Sequence, residues 1–154
     1  MSDGRPVWVL FDGRCGMCDA SVRWLIARDG RGALAFAPLE GEVAAAVRGR
    51  HPGLPPIDET MVLVEAPGTP GERVRVRSDA ALAILARLGG GWRATVLLRV
   101  VPRPIRDLVY RFVARRRLAW FGRLDACRIP TPAERARFLE VPATRGPSAT
   151  IPPA

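Results

Sequence analysis

Val7-Trp8-Val9-Leu10-Phe11 is an unbroken apolar run of β-branched and aromatic residues, and Asp12-Gly13 stops it. A run of that length bounded by turn residues predicts a buried strand. From Gly16 to Arg28 the period changes. Cys18, Val22, Leu25 and Ile26 fall on one helical face, and Gly30 supplies a stop. Residues 34–39 predict a second strand ending at or just after Pro38, residues 41–48 a short alanine-rich helix, and residues 51–56 a Pro/Gly loop. Residues 61–65 predict a third strand. A hairpin-like loop over 66–71 leads to a fourth at 72–77, where Val74 and Val76 alternate with arginine. Ser78 is placed to cap a helix over 79–88, with Asp79 in its first turn and Gly89-Gly90-Gly91 closing it.

This β-α-β-α-β-β-α order predicts an α/β domain with a thioredoxin-like central sheet and a Cys-x-x-Cys motif at the first strand/helix junction. Beyond Trp92 the pattern is helical. Residues 93–101 predict one helix. Pro104, in a favourable first-turn position, opens another in which Ile105, Leu108, Val109, Phe112 and Val113 share a face and Arg115-Arg116-Arg117 close the end. Thr131 caps a last short helix over 132–138. From residue 141 onward Pro, Gly, Ser, Thr and Ala dominate, as in a disordered tail. The expected organisation is a thioredoxin-like domain over 1–92, a helical extension over 93–140 packed on the same domain, and a tail over 141–154.

A chain of 154 residues has the size of one domain, and its hydrophobic fraction of 48% with 25% charged residues is that of a soluble globular protein. No apolar run approaches the roughly 20 residues that span a bilayer, and the stretch 94–101 is interrupted by Arg99. The first residues lack a signal-type apolar region, so a cytoplasmic location is expected, with or without association to a membrane surface. Every basic side chain that contributes to the net charge of +9 is arginine, and the excess is regional. Up to residue 98 there are 12 Arg against 11 acids; from Arg99 onward there are 12 against 4. A solvated helix face accounts for such a segment, and so does an anionic surface held by Arg103, Arg106, Arg111, Arg115, Arg116 and Arg117. No specific nucleic acid is expected, since Trp8, Trp24, Trp92 and Trp120 read as core and edge packing rather than as a base-stacking surface.

The chemistry rests on Asp12-Gly13-Arg14-Cys15-Gly16-Met17-Cys18. Cys15 falls where a helix begins, so unpaired backbone N–H groups and the positive end of the dipole favour its thiolate, with Arg14 an adjacent cation. Cys18 lies one turn later on the same side, placed to attack a mixed disulfide at Cys15 and release the substrate. Cys15 is thus the expected nucleophile, exposed and ionised, and Cys18 the resolving thiol. Gly13 permits the tight turn. Asp12 has two readings: relay of the Cys18 proton, or organisation of the turn by a side-chain hydrogen bond. A c-type haem site needs His after the second Cys, where Asp19 stands. Zinc would need Cys127 and His51, which form no closely spaced second pair. No cofactor is expected beyond an external thiol reductant or oxidant. Cys127 reads first as a buried apolar residue and second as a third redox thiol.

The run Val9–Cys18 closely resembles the opening signature of the DCC family of predicted thiol-disulfide oxidoreductases. Ser78-Asp79-Ala80-Ala81, Leu108-Val109-Tyr110, Trp120-Phe121-Gly122 and Cys127 before Pro130 resemble its later landmarks, so the likeness covers roughly residues 7–140. It implies a thioredoxin-like fold and dithiol exchange with a disulfide-containing protein or small thiol substrate. The contrasting expectation is a non-catalytic, redox-sensing module that binds a membrane or acidic partner through its Arg-rich helices. One departure stands out. Thioredoxin-like proteins usually place a cis-proline before the strand facing the cysteines; here Asp58-Glu59-Thr60-Met61 precedes it, and Pro55 and Pro56 fall too early. Met61 reads as core packing.

Overall fold

The structure, a computed structural model, describes residues 5–56, 60–124 and 129–140. Cys127, Asp58, Glu59 and the tail from 141 lie outside the described residues. Strand β1 (Val7–Phe11) lies inside a four-stranded sheet of order β2-β1-β3-β4, with β2 at Leu34–Pro38, β3 at Val62–Glu65 and β4 at Arg73–Val76. β1 and β2 are parallel, with Val9 opposite Phe36, whereas β3 is antiparallel to both β1 and β4. A parallel pair needs a crossover, and helix α1 (Gly16–Arg28) supplies it. Helix α2 (Glu42–Arg50) leads to β3, and α3 (Arg77–Arg87) follows β4. This is the thioredoxin-like arrangement, each element within about two residues of its predicted place.

Alternation along β1 divides the core in two. Val7, Val9 and Phe11 face α1 and α3, in a cluster with Phe36, Leu63, Val22, Ile84 and both Cys15 and Cys18. Leu10 faces the other way, with Ala37, Val62, Val64 and the α2 residues Ala44 and Val47. The cysteines therefore sit in the layer between sheet and helices.

The second half departs from expectation. Residues 93–101 are not an α-helix; Gly90–Val100 form a 3-10 helix with no buried residue. Helix α4 runs from Arg103 to Phe121, four residues past the arginine triplet, and ends where Gly122 adopts φ +76. Ser78 does not cap α3, which begins at Arg77; its hydroxyl donates to Asp107 Oδ1 at 2.5 Å and ties α3 to α4. Residues 132–138 form a turn and a 3-10 turn at Arg135–Arg137. They bring Phe138 into a parallel bridge with Phe36, and the Leu139 N–H donates to the Phe36 carbonyl at 2.8 Å. Beyond them the Glu140 carboxylate accepts the N–H groups of Glu42 and Val43, capping α2. A Cβ at Gly41, the α2 cap residue, would overlap that carboxylate and oblige the Glu140 side chain to move.

His51 lies away from the cysteines, in a cluster with Arg50 and Glu72 on the turn before β4. Arg50 holds the Glu72 carboxyl down at about 2, against the opposing effect of burial and with help from the Gly68 N–H and His51. A carboxylate depressed on folding stabilises the native state above its unfolded pKa, and that stabilisation is lost as the pH falls through the folded value. Urea unfolding of the wild type should therefore lose stability between about pH 4.5 and about 2. In Glu72→Gln that part of the acid dependence should be absent and stability at neutral pH lower. An unchanged acid profile would remove this cluster from the account. No helix among the described residues is long and apolar enough to cross a membrane.

Candidate active site

The turn after β1 is built by Asp12. Its Oδ1 accepts the Arg14 N–H at 2.9 Å, and its carbonyl accepts the Cys15 N–H at 3.3 Å. Gly13 is buried inside that turn. Cys15 is the N-cap of α1, in extended conformation, and its Sγ accepts the Cys18 N–H at 3.4 Å. A sulfur is thus aimed at the unpaired N–H groups of a helix start. Cys18 follows on the first turn, and both are free thiols.

Two expectations about this motif are corrected. Cys15 is not exposed: its relative exposure is 0%, against 4% for Cys18. The chain leaving α4 lies over it. The Gly16 N–H donates to the Gly122 carbonyl at 3.3 Å, the Leu124 N–H donates to the Arg14 carbonyl at 2.7 Å, and Arg123 forms a bridge with Cys15. Nor is Arg14 the cation at the pair, since it is exposed and enters this network through its backbone. The cation is Arg117, one of the arginines that the sequence assigns to an anionic surface. At 4% exposure it is buried; Nη1 donates to Cys18 Sγ at 3.2 Å and Nη2 to Asp12 Oδ2 at 2.9 Å. It is drawn inward because Asp12, mostly buried, needs a counter-charge.

These neighbours set the protonation of Cys18. Burial pushes the Cys18 thiol up to about 12, Arg117 opposes this, and Cys15 adds to it by charge and by hydrogen bonding. The Glu40 carboxyl, on an exposed residue, is also raised, chiefly by partial desolvation and then by the Asp12 charge. Through Arg117, Asp12 thus links Cys18 to a second carboxyl inclined to keep its proton.

Cys18 and Arg117 face a cavity of about 500 Å³ between α1, α3 and α4, walled by apolar side chains that include Met17, Trp24, Ile84, Val113 and Phe121. Met61 packs on the core as expected and also lines this cavity. The place before β3 is held by hydrogen bonds. The Thr60 hydroxyl accepts the Arg77 N–H at 2.8 Å and Tyr110 Oη accepts the Met61 N–H at 3.0 Å. Trp24 stacks edge-on against Trp92 at 4.9 Å, whereas Trp120 is 53% exposed and not part of the core. Asp79 is spanned by Arg103 and Arg106, so these two arginines are engaged within the chain.

The family model described as DCC1-like thiol-disulfide oxidoreductase matches residues 9–123. Two curated proteins are similar. The uncharacterized protein YuxK of Bacillus subtilis is 36% identical over 132 residues, covering 85% of this chain and 92% of that protein. The DCC family protein At1g52590, chloroplastic, of Arabidopsis thaliana is 30% identical over 128 residues, covering 82% and 71%. No solved structure matches the chain.

Proposed function

The chain belongs to the DCC1-like thiol-disulfide oxidoreductase family, and on that premise we propose that Cys15 and Cys18 carry out reversible dithiol–disulfide exchange. The observation that carries this reading is the asymmetry of the two sulfurs. Cys15 is placed at the helix start, accepting an N–H, while Cys18 is a buried thiol at about 12 with a guanidinium 3.2 Å away. The Cys15 thiolate attacks one sulfur of a substrate disulfide; a Cys15–substrate bond forms, the substrate S–S bond breaks, and the departing thiolate takes a proton. Cys18 then gives up its proton to the Asp12 carboxylate, with Arg117 stabilising the thiolate that appears. It attacks Cys15 Sγ, forming the Cys15–Cys18 disulfide and freeing the second substrate thiolate. The substrate gains two electrons and the pair loses two. An external dithiol restores the reduced pair, and the same steps run backward oxidise a dithiol. The apolar cavity beside Cys18 receives the non-reacting part of the substrate.

Attack by Cys15 requires residues 121–124 to lift. Gly16 is what allows them to lie so close: a Cβ at that position would stand 2.7 Å from the Phe121 carbonyl oxygen, nearer than any real contact. Gly16→Ala should therefore displace this segment and speed iodoacetamide alkylation of Cys15 about tenfold or more, read by peptide mass. Unchanged alkylation would mean that the segment does not restrict Cys15.

The test of the function is the potential of the pair in dithiothreitol buffers, together with turnover of a small disulfide. A reversible couple between about −120 and −270 mV is expected. A second reading, a redox-sensing module without catalysis, draws support from the burial of both sulfurs. Thiols that resist alkylation and show no turnover would favour it.

A further inference from the structure

Helix α4 is packed with its polar side inward. Asp107, Tyr110, Ala114 and Arg117 face α3, Met61 and the thiols, because those surroundings offer Ser78, a backbone N–H and Asp12 as partners. The apolar stripe predicted for this helix therefore points outward, only Val113 turning to the cavity. Ile105, Leu108, Val109 and Phe112 are 53%, 63%, 58% and 52% exposed, and Trp120 continues the row two turns on. Just before α4, the wholly unburied 3-10 helix adds Leu97 and Val100, at 72% and 85%.

The charge around this stripe is one-sided. Between residues 93 and 124 the chain has nine arginines and one acid, Asp107, which is turned inward. Arg103, Arg106 and Arg117 are engaged within the chain, and Arg93, Arg99, Arg111, Arg115, Arg116 and Arg123 are exposed. Arg116 lies over the Phe112 ring at 5.2 Å, which puts a guanidinium at the edge of the apolar row. A second copy of this chain docking through the same face would set arginines against arginines with no acid between them. An interfacial helix has this construction: aromatic and aliphatic side chains enter the acyl boundary while flanking cations meet anionic headgroups.

We propose that the outward face of α4, together with the preceding 3-10 helix, is a docking surface for an anionic lipid bilayer. The helix lies in the plane of the surface, with Leu108 and Phe112 inserted and Arg111, Arg115 and Arg116 on headgroups. The thiol pair, on the opposite side of α4, remains clear of the lipid. This differs from the surface expected from sequence: Arg117 leaves it, Arg103 and Arg106 are paired with Asp79, and the apolar row enters it.

The test is co-sedimentation of the full chain with phosphatidylglycerol/phosphatidylcholine vesicles against phosphatidylcholine alone, over a salt series, with light scattering of the free protein. Binding should require the anionic lipid and weaken with salt. Arg111→Gln and Arg115→Gln should each weaken it about fivefold, and Phe112→Asp about tenfold or more. These side chains are exposed, so circular dichroism and thiol alkylation should be unaltered. Equal binding to both vesicles, binding indifferent to Phe112→Asp, or a stable dimer that Leu108→Asp dissociates would each overturn the proposal. The outcome does not depend on thiol chemistry, since a Cys15→Ser/Cys18→Ser protein should bind the vesicles equally well.

Discussion

A Cys18→Ser protein should accumulate covalent partners that a Cys15→Ser protein does not form. The first retains the sulfur at the helix start and attacks, but lacks the thiol that would release the substrate, so the mixed disulfide persists under non-reducing conditions. The second keeps Cys18, a thiol that burial pushes up, so that little of it is ionised near neutrality. Turnover should fall by about a thousandfold or more in both, for different reasons. The measurement is trapping from a mixture of defined disulfides, followed by mass analysis of the modified residue. A trap on Cys18 in the Cys15→Ser protein would reverse the roles, a result to be weighed against the cavity being lined by Cys18.

Arg117→Gln should be the most damaging single change away from the cysteines. It leaves the Asp12 carboxylate, 13% exposed, without the guanidinium that neutralises it, and removes the donor at Cys18. Breaking one side of a buried pair costs about 3–5 kcal/mol, and each kcal/mol is worth roughly 2–4 °C in a chain of this size. A fall in melting temperature of about 10 °C is expected. Arg117→Lys keeps the charge but cannot reach both partners as a fork, so it should restore part of the stability and little of the Cys18 reactivity. In the double variant with Asp12→Asn the loss should be smaller than the two single losses added together. Additive losses would mean that the two residues do not act as a pair.

The first half of this molecule was legible because its signals are local. A five-residue apolar strand, a turn of Asp and Gly, and a helix opening on cysteine are contiguous, and the alternation of Val9 and Leu10 already assigns two faces. Arg117 was hidden because its partner Cys18 is 99 residues away and its neighbours are two more arginines. One sign was available: three successive residues fan through about 200° of a helix, so a packed helix cannot keep all three in solvent. The apolar row of α4 misled in a complementary way. Periodicity shows that Leu108 and Phe112 share a face; it does not say whether that face meets the core. Asp107 and Tyr110 decided it by finding polar partners inside. Gly16, between the cysteines, owes its identity to a carbonyl from Phe121, which no spacing rule reveals.

The return of residues 129–140 to β2 has a consequence for synthesis of the chain. β2 reads Leu-Ala-Phe-Ala-Pro, is buried throughout, and among the described residues has β1 as its only strand neighbour. Its outer side is covered at Phe36 by Phe138 and Leu139, while Glu140 closes the α2 start 98 residues earlier in the chain. A ribosome therefore releases the whole sheet well before the piece that shields its flank. During that interval the nascent protein presents an apolar strand with open hydrogen-bonding groups, the kind of edge that recruits strands from other chains. Contacts of such long sequence separation also form slowly. Yield during expression should thus depend on residues 137–140 more steeply than their share of the folded contacts would suggest, with the lost material found in aggregates.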